Sequence, residues 1–378
     1  MLPVNEIPVT ANAAATTDPI NQKVATFRQT LNNVPAVMLG MVRPIEPGAT
    51  EVYYDIRAYG TIPASATDLK VRRPPTPSTI FEIGSITKTF TGTALAWLAS
   101  QKNVEITGPA QRLLPAADQG GVTLPLWKGK GLLAPITCAA LATFTSGFPS
   151  DSSGSAIPGR SHEVLFRYLT DHPDVLTFAP GTQYVYADAA FELLGSALAY
   201  ANQQNYDYEA LLRDLLNAGG LLMPDTVVTL SPEQQGRVAP GLRHDGQFAK
   251  FTPGEWLIQS TMSDMMVWLT FNMSLLRSCP LTSLLPTTQT AWFTQPQGES
   301  EGMKPGNSTG LGWFIEPLGD PGQKDTPIRI SKNGATSNGY SSYICFIQGG
   351  STGVVLLTNL YKTQVAGLGN ELLQDLSS

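Results

Sequence analysis

At 378 residues, with 42% hydrophobic side chains and a mean hydropathy of −0.03, the chain has ample length to bury a large core and the balance of a globular protein. Its 24 basic and 30 acidic residues give a net charge of −6, and the absence of a basic patch argues against nucleic-acid binding. No apolar run approaches the ~20 residues of a membrane span, and the dispersed cysteines (Cys138, Cys279, Cys345) and histidines (His162, His172, His244) lack the CxxC or HExxH spacing of a metal site.

The first 20 residues, rich in Ala, Thr, Asn and Pro, read as a flexible lead-in. They contain neither a basic n-region nor an apolar h-region, so the expected location is cytoplasmic, or periplasmic or secreted if a signal was removed. Apolar positions Ile20, Val24, Phe27 and Leu31 recur at helical spacing, predicting an amphipathic helix over 19–31. Residues 34–42 and 52–59 read as a strand hairpin, and Arg73-Pro74-Pro75-Thr76-Pro77 as a rigid connector.

A short β-like run at 79–81 then meets Gly84-Ser85. The segment 86–100 that follows is apolar on most of its circumference, which predicts a buried central helix. Pro and Gly interrupt residues 101–150, leaving one short helix at 138–143 before a loop, Phe144-Thr145-Ser146-Gly147-Phe148-Pro149. Helices are expected at 162–169, 189–201, 208–216 and 263–277, with 219–255 mostly irregular. From Leu311 the pattern changes to strands at 312–315, 328–330, 343–348 and 353–359, with turns at Gly319, Gly322, Gly349 and Gly350, and a closing helix at 363–376. The expected architecture is an α/β (α+β) sheet domain built from 21–80 and 305–378. A mainly helical domain, 81–304, is inserted into it, with the active site in the cleft between.

Three short motifs carry chemistry. Ser85 and Lys88 are three apart on the first turn of the buried helix, so they share a face, and a lysine desolvated there can act as a base toward the serine hydroxyl. The bland reading is a capping serine with a surface lysine. Tyr186-Ala187-Asp188 stands at a loop-to-helix junction, and Lys332-Asn333-Gly334 on a strand where glycine marks close approach of a ligand or another backbone. Each also has a plain structural reading: a tyrosine with its ring in the core, and an edge-strand lysine. No GxSxG elbow is present, and the histidines stand in polar, loop-like contexts, so a serine nucleophile here would take lysine or tyrosine as its base.

In this order, S-x-x-K, a Y-x-N-like motif and a K-T-G-like motif resemble the serine β-lactamases and penicillin-binding proteins, in particular the class C β-lactamase branch and its esterase-like members. The stretches FEIGSITKTFTGTALAW (81–97), LATFTSGFP (141–149), PGTQYVYAD (180–188), STMSDMMVWL (260–269), LGWF (311–314) and the segment 332–359 are similar to that family, over roughly 20–375. The resemblance implies a β-lactamase/transpeptidase-like fold, an antiparallel sheet flanked by helices plus the helical domain. It implies Ser85 as the acylated nucleophile and Lys88 with Tyr186 as base pair, the tyrosine's pKa lowered by flanking ammonium groups. Lys332 would supply one such charge and attract a substrate carboxylate. The backbone N–H groups of Ser85 and Ala335 would form the oxyanion hole, and Asp188, Asn333 and Gly334 would contact substrate.

Asp188 stands where the family usually has asparagine, and Asn333 where it usually has threonine. A carboxylate at 188 cannot donate to an acyl-amide carbonyl and would hold Lys88 charged. The expected partner is a small-molecule substrate (a β-lactam, ester or peptide), with no metal or organic cofactor. β-Lactamase, esterase, D-amino-acid peptidase and acyltransferase activities all remain open, as does a non-catalytic sensor or scaffold of the same fold.

Overall fold

The computed structural model describes residues 9–11, 18–32, 35–46, 51–63, 70–101, 103–115, 119, 121–129, 132–152, 156–159, 161–203, 205–243, 257–276, 278–298, 300–319 and 326–377. Several expectations lie outside them: most of the lead-in, Val34, the stretch 244–256 with His244, Arg277 and the turn glycine Gly322.

The N-terminal part comprises β1 (Val9–Ala11), α1 (Pro19–Thr30), β2 (Val37–Pro44), β3 (Val52–Tyr59), β4 (Ile62–Pro63), β5 (Arg72–Arg73) and β6 (Ile80–Glu82). There follow α2 (Thr87–Ser100), β7 (Leu126–Gly129), β8 (Leu132–Pro135), α3 (Cys138–Ala142), α4 (His162–Asp171), α5 (Asp188–Gln203), α6 (Tyr208–Gly219) and α7 (Pro232–Gln235). Next come β9 (Gln259–Thr261), α8 (Met262–Asn272) and α9 (Leu285–Thr288). The rest is β10 (Phe293–Thr294), β11 (Ser308–Thr309), β12 (Phe314–Pro317), β13 (Ile328–Thr336), β14 (Tyr340–Ile347), β15 (Gly353–Thr358) and α10 (Val365–Ser377).

Among the described residues, nine strands form one sheet in the order β1-β3-β2-β15-β14-β13-β12-β11-β10, antiparallel except for the β1–β3 pair. The fold class is therefore the expected one, an antiparallel sheet flanked by helices. The two ends of the chain meet where β2 pairs with β15, from Val37↔Thr358 to Gly353↔Val42. Successive strand residues point to opposite faces, and both faces are covered. Leu39, Met41, Cys345 and Leu356 pack with Ile20 and Val24 of α1 and Leu368 and Leu372 of α10. Met38, Val42, Phe346 and Leu357 join the larger core with α2, α5 and α8. Asp18 caps α1 by accepting the Ile20 N–H at 2.8 Å, and its other oxygen pairs with Arg57 of β3 at 2.8 Å, so the cap also anchors the helix to the sheet.

The central helix α2 is buried from Thr87 to Leu98. Its threonines satisfy their hydroxyls along the helix, Thr89 to the Ile86 carbonyl and Thr93 to the Thr89 carbonyl, each at 2.8 Å. Trp268 of α8 stacks on Phe90 at 3.8 Å and donates its indole N–H to Thr89. At Gly92 the Leu311 carbonyl comes so close that no Cβ fits. These contacts fix the helix that carries the site.

Three details differ from expectation. Val9–Ala11, inside the stretch read as a lead-in, pairs in parallel with β3. Within 101–135 the hairpin β7–β8 forms with Leu126, Leu132 and Leu133 exposed, so its apolar residues do not mark a buried face. Helix α8 ends at Asn272, and the chain turns at Ser274 with φ 60°. All three cysteines are free thiols.

Candidate active site

Strand β6 delivers the chain into a 3₁₀ turn, Gly84–Ile86, directly ahead of α2. Gly84 has φ +52°, a region that favours glycine, and a Cβ there would sit 2.7 Å from the Ala335 nitrogen. The Ala335 backbone of β13 therefore lies against the turn that presents Ser85. The turn is tied down on its other side by Ser342, whose hydroxyl donates to the Ile83 carbonyl at 2.7 Å. Gly334 answers the question its presence in a strand raised. A Cβ at 334 would collide with the Ile83 carbonyl oxygen, so here the close approach is by another backbone.

On β13 the alternation then sorts the rest. Asn333, Ala335 and, one residue past the strand, Ser337 are exposed to the cleft, whereas Lys332, Gly334 and Thr336 are buried.

Lys88 donates to the Ser85 hydroxyl at 2.9 Å, and Ser85 and Tyr186 hydroxyls lie 2.6 Å apart. Tyr186 reaches this point from a loop anchored at three places. Val185 N–H donates to the Phe144 carbonyl at 2.8 Å, the ring of Tyr186 stacks on Phe144 at 5.1 Å, and its own N–H donates to the Glu301 carboxylate at 2.7 Å. Two residues on, Asp188 opens α5. Its carboxylate takes the second Lys88 bond at 2.6 Å, and its N–H donates to the Asp151 carboxylate at 2.7 Å. Lys332 does not share this network. Wholly buried, its nitrogen sits over the rings of Phe314 (4.6 Å), Tyr186 (5.2 Å) and Phe144 (5.6 Å) and donates to the carbonyl and side-chain oxygens of Asn333.

The charges follow from this packing. Burial pushes the Lys88 ammonium down, but the Asp188 carboxylate and then Tyr186 outweigh it, and the net direction is above the ordinary lysine value. Asp188 is pushed up by burial and pulled down further by Lys88, ending below the usual carboxylate range. Tyr186 lies above its ordinary value because burial exceeds the pull of Lys88. Lys332 is held well below a normal lysine by burial and by the charge of Lys88. Two expectations are corrected here. Desolvation alone does not turn Lys88 into a free base, because Asp188 compensates it as the carboxylate at that position led one to expect, and the pull of the flanking Lys88 ammonium does not bring Tyr186 below its ordinary value, because burial exceeds it.

The cleft above Ser85 has a volume of about 990 Å³ and is lined by Asp151, Tyr186, Asp188, Glu301, Phe314, Asn333 and Ala335 among others. Sequence reasoning missed Asp151 and Glu301. Asp151 follows directly on the Phe144–Ser150 loop, a weak signal; nothing in its surroundings marks Glu301. Burial and the neighbouring Asp188 push the Asp151 carboxyl up to about 6. Among the described residues, no group of three His, Cys, Asp or Glu side chains is arranged to hold a metal, and no helix is long and apolar enough to cross a membrane.

Comparison with known proteins bears on the family and the fold. The family model described as Beta-lactamase matches residues 47–377. A β-lactamase of Pseudomonas fluorescens is 26% identical over 319 residues, covering 76% of this chain and 81% of the relative. The D-alanyl-D-alanine-carboxypeptidase/endopeptidase AmpH of Escherichia coli is 28% identical over 321 residues, 80% of this chain and 78% of the relative. The crystal structure of a β-lactamase/D-alanine carboxypeptidase from Yersinia pestis complexed with citrate superposes with a TM-score of 0.71 at 22% identity, covering 95% of this chain and 99% of that one.

Proposed function

Since the chain belongs to the beta-lactamase family, we propose that it is a serine hydrolase of the class C-like branch, forming an acyl-enzyme at Ser85. A hydrolase acting on small molecules is the broad reading that family membership carries. The observation that supports the finer one is the meeting of Ser85, Lys88 and Tyr186 within 2.9 Å at the floor of the cleft.

In this reading Ser85 Oγ attacks the carbonyl carbon of an ester or amide, β-lactams included. Its proton passes to Tyr186 as the Tyr186 proton passes to the leaving group, a relay suited to a phenol held neutral. Lys88 stays an ammonium and steadies the serine oxygen as charge develops, while Asp188 holds that ammonium in place. The oxyanion is received by the backbone N–H groups of Ser85 and Ala335. Water then attacks the acyl-enzyme, and the relay through Tyr186 returns a proton to Ser85. Lys332 acts as a buried support for the Tyr186 ring, and Asn333 as a polar contact for substrate.

A fluorescent penicillin, nitrocefin and a p-nitrophenyl ester, each followed by intact mass, test the proposal. An adduct or turnover that disappears in Ser85→Ala is expected; turnover that survives it overturns the assignment. Ester cleavage without nitrocefin hydrolysis selects the esterase or peptidase branch. That outcome is favoured by Asp188, whose carboxylate offers no donor to an acyl-amide carbonyl.

A further inference from the structure

The cleft beside Ser85 carries a charge pattern opposite to the one a carboxylate-bearing substrate needs. Four carboxylates line it, Asp151, Asp188, Glu301 and Glu316. Two are compensated, Asp188 by Lys88 at 2.6 Å and Glu316 by Arg329 at 2.8 Å. The other two, Asp151 and Glu301, are held by backbone donors only, the N–H groups of Asp188 and Tyr186, each at 2.7 Å, and neither is in an ion pair among the described residues. Those donors belong to one tripeptide, so both carboxylates are held against the segment that places Tyr186 against Ser85.

Lys332 acts electrostatically on Asp188, which Lys88 already compensates, and not on Asp151. Its ammonium site is enclosed by three aromatic rings and turned onto its own neighbour Asn333, with no surface presented to the cleft. Lys362, the exposed cation of the cleft wall, is on the β15–α10 connection and takes no part in the Tyr186–Asp188 group.

Given the reading of Ser85 as an acylated nucleophile, on which this rests, we propose that the acyl half of the substrate carries a protonated amine. The enzyme then prefers esters or amides of amino acids with a free amino group, and Asp151 and Glu301 set that preference. Asp151 accepts the Asp188 N–H and Glu301 the Tyr186 N–H, and the Tyr186 hydroxyl is 2.6 Å from that of Ser85, which puts both negative charges beside the atom that would be acylated. An ammonium there gains two carboxylate partners in a partly desolvated cleft, whereas a carboxylate meets like charges.

Alanine benzyl ester, its N-acetyl form and its N-succinyl form test the charge directly, with each enantiomer assayed by chromatography. The expected order of kcat/KM is free amine over acetyl by about tenfold, with succinyl lowest. In Asp151→Asn and in Glu301→Gln the amine-to-acetyl ratio falls by about threefold or more, and Asp151→Glu restores it. A merely structural role would lower all three substrates together and leave the ratio in place. Calorimetric titration of alaninamide and N-acetylalaninamide into the Ser85→Ala protein reads the same preference without turnover. A ratio at or below one in the wild type, or a ratio unmoved in both carboxamide variants, overturns the inference. Amine-selective binding without any Ser85-dependent cleavage upholds the charge preference and overturns the acyl-enzyme reading instead.

Discussion

Replacing Asp188 by asparagine removes one charge from the most closely coupled pair in the site, and its consequences can be worked through. The Lys88–Asp188 contact is 2.6 Å; the lysine side chain is fully buried, whereas 51% of the aspartate side chain remains accessible. Removing one partner of a fully buried pair costs about 3–5 kcal/mol, and solvent reaching Asp188 reduces that to about 1–3 kcal/mol here. The loss has a defined pH window. Asp188 titrates below its ordinary value, so its stabilisation is full above about pH 4 and disappears as pH falls through the folded-state value. Lys88 is raised, so its contribution is full below about pH 10 and is lost only at strongly alkaline pH. Wild type and variant should therefore differ by a constant amount between about pH 5 and 9 and converge in acid.

Activity should move the other way. An amide at 188 can donate one hydrogen bond to an acyl-amide carbonyl, about 0.5–1.5 kcal/mol, which is roughly two- to thirteenfold in kcat/KM for nitrocefin. Urea unfolding from pH 3 to 9 and nitrocefin kinetics check both halves. A variant as stable as wild type at pH 7, or one with unchanged or slower nitrocefin turnover, refutes the reasoning.

Other substitutions separate packing from chemistry. Tyr186→Phe keeps the ring stacked on Phe144 but deletes the hydroxyl 2.6 Å from Ser85, so ester turnover should fall by about 10²–10⁴ with the melting temperature nearly unchanged. Gly334→Ala places a methyl group against the Ile83 carbonyl, and should destabilise by about 1–3 kcal/mol and impair acylation through displacement of the Ser85 turn, both read by calorimetry and intact mass. Asp151 is raised to about 6, so its ionisation opposes folding above that pH and the penalty vanishes below about 4. Asp151→Asn should then be more stable than wild type by about 1–2 kcal/mol at pH 8, after discounting for its partial exposure, and equal to it near pH 4. A variant less stable at pH 8 would count against this account of the Asp151 environment.

Much of this molecule is written locally. Helical spacing of Ile20, Val24 and Phe27 is enough to place α1, and a nearly continuous apolar segment to bury α2, because side-chain periodicity is a property of neighbouring residues. The same holds for Ser85 and Lys88: an offset of three near a helix start puts them on one face, and they are 2.9 Å apart. Strands β2 and β3 and the C-terminal meander were also legible from alternation and turns. Tyr186 and Lys332 could be nominated from motif order, and the family resemblance paired Tyr186 with Lys88 as base for Ser85, but the distances among them could not be read.

What the tertiary structure decides is everything that depends on burial and on residues distant in sequence. Tyr186 meets Ser85 across 101 positions, Asp188 meets Lys88 across 100, and Glu301 holds Tyr186 across 115. No local pattern encodes such pairings, so Asp151 and Glu301 went unnoticed. The sign of each charge effect is likewise a tertiary property. Lys88 and Lys332 are both buried lysines, yet one is raised and the other depressed, because a carboxylate packs against the first while three aromatic rings and a neighbouring cation surround the second.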